Sequence, residues 1–473
     1  MKMRKLNTRL VLLFSILVVY KPVLAQTSAP NIIIILADDL GYADVGFTGS
    51  KDILTPNIDR IARQGVVCTR GYVSYAVCGP SRAGLLTGRY QDRFGFSRNP
   101  IVAPNDSTMG LPLSQETIAD FLKQHHYVTG IIGKWHLGTH PSLRPNKRGF
   151  DEFFGFLGGG HRYLAEDLTL KDLSEARSEN DGYKTKILRN NTGIEEKEYL
   201  TDAFSREAVN FVEKNQTKPF FLYLAYNAPH SPLQATQKYL SRFEQIKDVK
   251  RRTYAAMVSA VDDGVGRLLD NIRDLHIENN TLIFFLSDNG GPINDNASSN
   301  APFRGQKSDF FEGGIHVPFA IQWKGHLPSG VTYNAPVSSL DIFATAASLV
   351  NAKPRNSLDG VNLLPFISGQ AKDIPHRELY WRNYDKERYC ILGNIYKRID
   401  EKGKPTMFFD LSNDISEKVN LAGSSNHQSQ MDDFENKINA WRQLLEAPVF
   451  MGLLEDEQYS REHPERWKVS VNK

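Results

Sequence analysis

Cysteine is scarce. Three occur in 473 residues, Cys68, Cys78 and Cys390, so at most one internal disulfide can form and a disulfide-framework fold is excluded. One thiol is left over whatever pairs. Short internal repeats and long low-complexity tracts are also missing, which argues against a solenoid. Beyond the first two dozen residues no apolar run approaches the roughly 20 residues of a membrane span. An excess of one charge is lacking too. The net charge is +3, and it becomes −2 without the five basic side chains of residues 1–25. A nearly neutral chain offers no bulk attraction to nucleic acid or to a membrane surface.

The N-terminus carries what the rest lacks. Lys2, Arg4, Lys5 and Arg9 precede an apolar run at residues 10–20, and Val23-Leu24-Ala25 ends in a small residue before Gln26. This order predicts a secretory signal peptide over residues 1–25 and a secreted or periplasmic protein. The alternative is an uncleaved membrane anchor, for which the run is short. No Cys follows the run, which argues against a lipoprotein. The composition, 41% hydrophobic and 23% charged, suits a globular protein with one large core or two unequal ones.

Residues 31–36 hold four isoleucines and a leucine. A continuous β-branched run predicts a strand buried on both faces, as in a parallel sheet. Similar runs recur at 128–132, 220–226 and 281–286. Helical patterning fills 55–64, 115–124, 202–213 and 254–275. The alternation predicts an α/β fold, a large mainly parallel sheet flanked by helices. After a polar stretch at 351–360, short runs at 379–382, 389–392, 394–398 and 407–410 predict an antiparallel meander, followed by a helix over 430–446. The expected organisation is a catalytic domain over 26–355 and a small unit over 356–473.

Polar residues close each predicted strand: Asp38-Asp39, then Lys134 and His136, then His230, then Asp288-Asn289. In open α/β sheets ligands bind beyond the carboxyl ends of the strands. Hard oxygens there suit Ca²⁺ or Mg²⁺ better than zinc. A single Asp-Asp pair is ordinarily a turn or a cap; two pairs, each ending a buried strand, point to a cation. Cys78-Gly79-Pro80-Ser81-Arg82 predicts a helix start with Pro80 in its first turn. Cys78 then lies at an anion-attracting helix N-terminus, and Arg82 adds a positive fork.

Cys78-Gly79-Pro80-Ser81-Arg82 with Leu85-Leu86-Thr87-Gly88-Arg89 resembles both halves of the sulfatase signature. Asp38-Asp39-Leu40-Gly41-Tyr42, Gly133-Lys134-Trp135-His136-Leu137-Gly138, Pro229-His230-Ser231-Pro232, Ser287-Asp288-Asn289-Gly290-Gly291 and Gly305-Gln306-Lys307 with Glu312-Gly313-Gly314 resemble further family blocks, in family order. The match spans residues 38–314, and the C-terminal part resembles the family more loosely.

The resemblance implies an alkaline-phosphatase-like fold. It also implies conversion of Cys78 to formylglycine by a formylglycine-generating or sulfatase-maturing enzyme. Asp38, Asp39, Asp288, Asn289 and residue 78 would bind the cation, Ca²⁺ before Mg²⁺. Residue 78, as the aldehyde hydrate, would be the nucleophile, with Arg82 steadying it. Lys134 and Lys307 would hold sulfate oxygens, and His136 and His230 would move protons. Cations screen the charge of a sulfate ester, and a geminal diol can expel sulfate by re-forming a carbonyl, which a serine cannot.

The substrate is less sharply marked. The blocks resemble arylsulfatases and galactosamine sulfatases, which implies a sulfated galactose or N-acetylgalactosamine unit of a glycosaminoglycan, mucin or algal polysaccharide. His161 and Arg162, after Gly158-Gly159-Gly160, are candidate sugar ligands. Trp381, Arg382, Asn383 and Tyr384 are a second candidate wall. The polar segment 164–200 reads as an insertion shaping the entrance. Cys68 and Cys390 read as packing residues. Three rivals remain open: a phosphatase or phosphodiesterase of the same superfamily, a non-catalytic binder of sulfated glycans, and a conventional cysteine hydrolase.

Overall fold

The computed structural model describes residues 29–467. The signal peptide expected over 1–25 lies outside the described residues. The four apolar runs form four adjacent parallel strands: Thr281–Ser287, Asn31–Ala37, Phe220–Ala225 and Val128–Lys134, in that spatial order. They are the middle of a ten-stranded sheet. On one side Phe319–Gln322 pairs antiparallel with Thr281–Ser287, then Val66–Cys68 and Val331–Tyr333 follow. On the other, Glu152–Phe156 runs parallel to Val128–Lys134, and the hairpin Ile187–Arg189 and Thr192–Ile194 ends the sheet antiparallel.

Why strand Asn31–Ala37 is central follows from its side chains. Successive residues of a strand point to opposite faces. Ile32, Ile34 and Leu36 enter one core with Leu85, Leu86, Phe121 and Phe343. Ile33, Ile35 and Ala37 enter another with Phe204, Val212, Val258 and Leu268. Helices Cys78–Thr87, Ile118–Gln124 and Asp341–Leu349 cover the first face, and Leu200–Asn215 with Val249–Asp274 cover the second. Each fully buried isoleucine contributes about 1.5–3 kcal/mol. Among the described residues no helix is long and apolar enough to cross a membrane.

The C-terminal meander is a four-stranded antiparallel sheet, Leu379–Asn383, Arg388–Leu392, Tyr396–Glu401 and Met407–Asp410. Helix Gln428–Arg442 packs Met431, Phe434 and Ile438 on one face, against Ile391 and Phe408. The other face leans on the large unit: Trp381, Cys390 and Phe409 share a core with Tyr72, Tyr75 and Phe310. This corrects the second candidate wall at Trp381 and Arg382. Trp381 is buried and its indole N–H donates to the Val73 carbonyl at 2.8 Å. Arg382 is buried and bonded to Asp92 and Ser97. Both side chains tie the small sheet to the large unit. All three cysteines are free and buried, so no disulfide links them.

Candidate active site

The strand order gathers the polar residues. Ala37 and Ser287 are register partners, so Asp38-Asp39 and Asp288-Asn289 leave adjacent strands side by side. The Asp288 N–H donates to Ala37 O at 3.1 Å, and the Asp39 N–H to Asp288 Oδ1 at 3.2 Å. Asp39 turns in the left-handed region, φ 63°, which an aspartate tolerates. Lys134 ends a strand two positions away. Gly133 before it has φ 114°, and a Cβ there would lie 1.9 Å from the Ala225 carbonyl oxygen; only glycine lets the strand pass so close.

Cys78 is the first residue of its helix. Its Sγ lies 3.4 Å from Asp38 Oδ1 and 3.9 Å from Asp39 Oδ1. One ligand atom each from Asp38, Asp39, Cys78 and Asp288 falls within 4.8 Å of the others. Cations interleave with these oxygens. Lys134 Nζ is 2.6 Å from Asp38 Oδ2, and Lys307 Nζ is 2.8 Å from Asp39 Oδ2. Arg82 donates through Nε to Asp288 Oδ2 at 2.9 Å and through Nη1 to the Lys134 carbonyl at 3.2 Å. His230 Nε2 stands 3.6 Å from Asp39 Oδ2, with its Nδ1 2.5 Å from Ser231 O.

Burial and charge set the protonation states. Burial, reinforced by Asp288, pushes the Cys78 thiol far up. Burial and the repulsion of Asp38 raise Asp288 to about 6. Burial would raise Asp39 as well, but Lys307, His230 and Lys134 outweigh it and hold it well below the usual carboxylate range. Burial lowers His136 far below its ordinary value, with Lys134 and Arg82 adding to the shift. Burial takes His230 down to about 3 against the pull of Asp39. Both shifts favour the neutral imidazole.

A divalent cation fits this donor set. Asn289 gives its Nδ2 to Asp39 Oδ1 at 2.7 Å, while its Oδ1 is buried with no hydrogen-bond partner. A buried, unsatisfied amide oxygen beside three carboxylates is what a hard cation would satisfy. The soft sulfur of Cys78 is the odd member; an oxygen at that place would complete a hard-donor site. The buried His136 Nδ1 is likewise unpartnered.

Sequence reasoning missed three contributors. A Cβ on Gly159 would lie 2.8 Å from His136 Nε2, so this glycine makes room for the ring. Asn300 clasps the loop between Asp288 and Lys307, accepting from Gly291 N and donating to Gly291 O and Gly305 O. Tyr183 packs its ring against Gly160, where a Cβ would lie 2.6 Å from it, next to the Gly159 that abuts His136. The polar insertion gave no periodic signal that could have flagged it. His161 is a correction. It is buried, its Nδ1 bonds the Arg162 carbonyl at 2.9 Å, its Nε2 faces Thr185 Oγ1 at 3.5 Å, and its ring packs on Phe156. It is bound up inside the protein and not offered to a sugar. Arg162 is half-buried, with no ion pair among the described residues.

Comparison with known proteins agrees with this geometry. The sulfatase family model matches residues 30–352. Human N-acetylgalactosamine-6-sulfatase is 35% identical over 460 residues, which covers 88% of this chain and 86% of the relative. Arylsulfatase A of Bos taurus is 32% identical over 442 residues, 85% of each chain. The crystal structure of Ps i-CgsB is 40% identical and superposes with a TM-score of 0.85, over 94% of this chain and 100% of that one. The fold is alkaline-phosphatase-like. The chain belongs to the sulfatase family and is a sulfuric ester hydrolase.

Proposed function

We propose that this protein removes sulfate from a galactose or N-acetylgalactosamine unit of a sulfated polysaccharide, outside the cell or in the periplasm. It does so through formylglycine made from Cys78, after action of a maturing enzyme, and with Ca²⁺, or less readily Mg²⁺, held by Asp38, Asp39, Asp288, Asn289 and residue 78. The observation that carries this is the setting of Cys78: buried, its thiol pushed up, its Sγ within 4 Å of Asp38 and Asp39. A thiolate would be repelled there, which disfavours the cysteine hydrolase. An oxygen nucleophile beside a cation would be favoured. The two candidate ion-binding groups among the described residues share Asp38 and Cys78, which supports one cation site and not the pair a two-metal phosphatase uses.

A bound divalent cation would screen the sulfate charge as a Lewis acid. The chain does the rest. Lys134 and Lys307 hold sulfate oxygens, and Arg82 keeps Asp288 and residue 78 in place. One hydroxyl of hydrated residue 78 gives its proton toward Asp288 and attacks sulfur, and the bond from sulfur to the sugar oxygen breaks. His230, with the charged Lys307 beside it, supplies the proton to that oxygen; the negative charge of a bound ester favours the protonated ring. His136 takes the proton of the second hydroxyl, the carbonyl re-forms and sulfate leaves. Arg162 is the sugar contact retained from the loop after Gly160.

The sugar class rests on the relatives: one is named N-acetylgalactosamine-6-sulfatase, and Ps i-CgsB has been solved with k-i-k-neocarrahexaose. Nitrophenyl sulfate turned over in preference to nitrophenyl phosphate supports the reaction, and turnover of phosphate alone would overturn it. Defined sulfated saccharides then identify the sugar, and binding of these without any sulfate release would favour the non-catalytic reading.

A further inference from the structure

A cavity of about 750 Å³ lies beside this site, inside the range of small-ligand pockets. Its inner wall is the end of strand Glu152–Phe156, continuing through Leu157 and Gly158. That wall touches the catalytic strand directly: the Trp135 N–H donates to Phe156 O and the His136 N–H to Leu157 O, both at 3.1 Å. Its outer wall comes from the polar insertion, from Lys171 to Gly193. Tyr183 lines the cavity and packs against Gly160, where a Cβ would lie 2.6 Å from its ring, and the neighbouring Gly159 abuts His136. The cavity thus adjoins the catalytic strand along Leu157, Gly158 and Tyr183.

The charge of the cavity says what it would hold. Arg144, Lys171 and Lys186 line it against one carboxylate, Asp172. Asp172 is occupied with Ser174, and Lys186 with Glu195. Arg144 is half-buried. Its Nε donates to the Thr139 carbonyl at 3.2 Å. It makes no close ion pair among the described residues, and Asp172, already bonded to Ser174, is the carboxylate acting on it. A guanidinium's planar fork matches sulfate and carboxylate alike, so a ligand anion can take the place facing Arg144.

We infer that this cavity is the subsite for the sugar next to the one losing its sulfate, and that Arg144 there recognises a second anionic group, a sulfate ester or a carboxylate. The inference rests on the sulfated-saccharide reading above. It makes the enzyme selective for a poly-anionic chain, through a segment outside the matched family blocks.

The test reads inhibition of nitrophenyl sulfate turnover by three probes: galactose 6-sulfate, a chondroitin 6-sulfate disaccharide whose second anion is a carboxylate, and a carrageenan disaccharide with two sulfates. Arg144→Ala is expected to raise the inhibition constant of one or both disaccharides about tenfold or more, the scale of a charge-assisted hydrogen bond, and to leave that of galactose 6-sulfate as it was. The disaccharide that loses identifies the anion. No change with either disaccharide overturns the inference. So does an equal loss with galactose 6-sulfate, which would mean that Arg144 only holds its loop through Thr139. Should Arg144→Ala not fold, Lys171→Glu at an exposed position reads the same cavity, with the same outcomes. If the matured protein turns over no sulfate ester, the catalytic reading has failed. Calorimetric binding of the disaccharides to the unmutated protein and to Arg144→Ala then decides the cavity separately, and equal affinities overturn it.

Discussion

Cys78 sits among Asp38, Asp39 and Asp288, where a thiolate would face three carboxylates and an oxygen would face a cation. Cys78→Ser separates the two halves of the proposed reaction. Its single hydroxyl can take up sulfate but cannot re-form a carbonyl. The expected outcome is one nitrophenol released per chain and sulfate left covalently on the protein, seen by mass; continuous turnover would contradict it. The cation is tested separately. Chelation should abolish activity and Ca²⁺ restore it. Asn289→Ala, which removes the unpartnered oxygen, should raise the Ca²⁺ needed for half activity by about tenfold or more; an unchanged requirement would leave that oxygen without its assigned role. At this scale the charged residues were legible because each closes an apolar run. What the sequence could not display was direction. Asn289 and His161 are both polar, yet one leaves an oxygen free and the other turns both nitrogens inward. Gly159 matters for a side chain it lacks.

Strands with two buried faces announce themselves, and the four central ones differ from their predicted spans by a residue or two. The hairpin Ile187–Arg189 and Thr192–Ile194 did not, because only Ile187 of it is buried and exposed edge strands need no apolar run. Helix starts were less legible: the helix expected from residue 115 begins at Ile118, after the Thr117 cap, and the one expected from 254 begins at Val249, after the Asp248 cap. Helix Asp341–Leu349 carries a pH-dependent clasp. Asp341 accepts from the Ser338 and Val361 backbone and pairs with His376 Nε2 at 2.7 Å. Burial alone would lower His376, but the charge and hydrogen bond of Asp341 outweigh it, so its pKa is raised. A raised histidine stabilises fully below its unfolded value of about 6.5 and loses that contribution as pH climbs through the folded value. The thermal unfolding temperature should therefore fall with rising pH over that interval. His376→Gln should remove that part of the slope, and an unaltered slope would contradict the pairing.

Across the whole molecule buried charge ties the small sheet to the large unit. Lys397 of the small sheet places Nζ 2.9 Å from Glu312 Oε1 and 2.9 Å from Glu417 Oε1, all three side chains fully buried. Glu312 also pairs with His316 and Tyr72. A division near residue 355 is readable as a change in sequence texture, but texture does not show that Trp381, Arg382 and Lys397 point across it. Lys397→Met leaves two glutamates facing each other and should cost about 3–5 kcal/mol, read by denaturant unfolding as one transition shifted for both sheets. Two separate transitions in the unmutated protein would contradict the shared interior. The whole account turns on a modification that a gene sequence cannot show, and the mass of the peptide containing residue 78, from active protein purified from its native host, tests it most directly. The account predicts an aldehyde or its hydrate, oxygen in place of the thiol. Active protein carrying only unmodified cysteine at position 78 would contradict it.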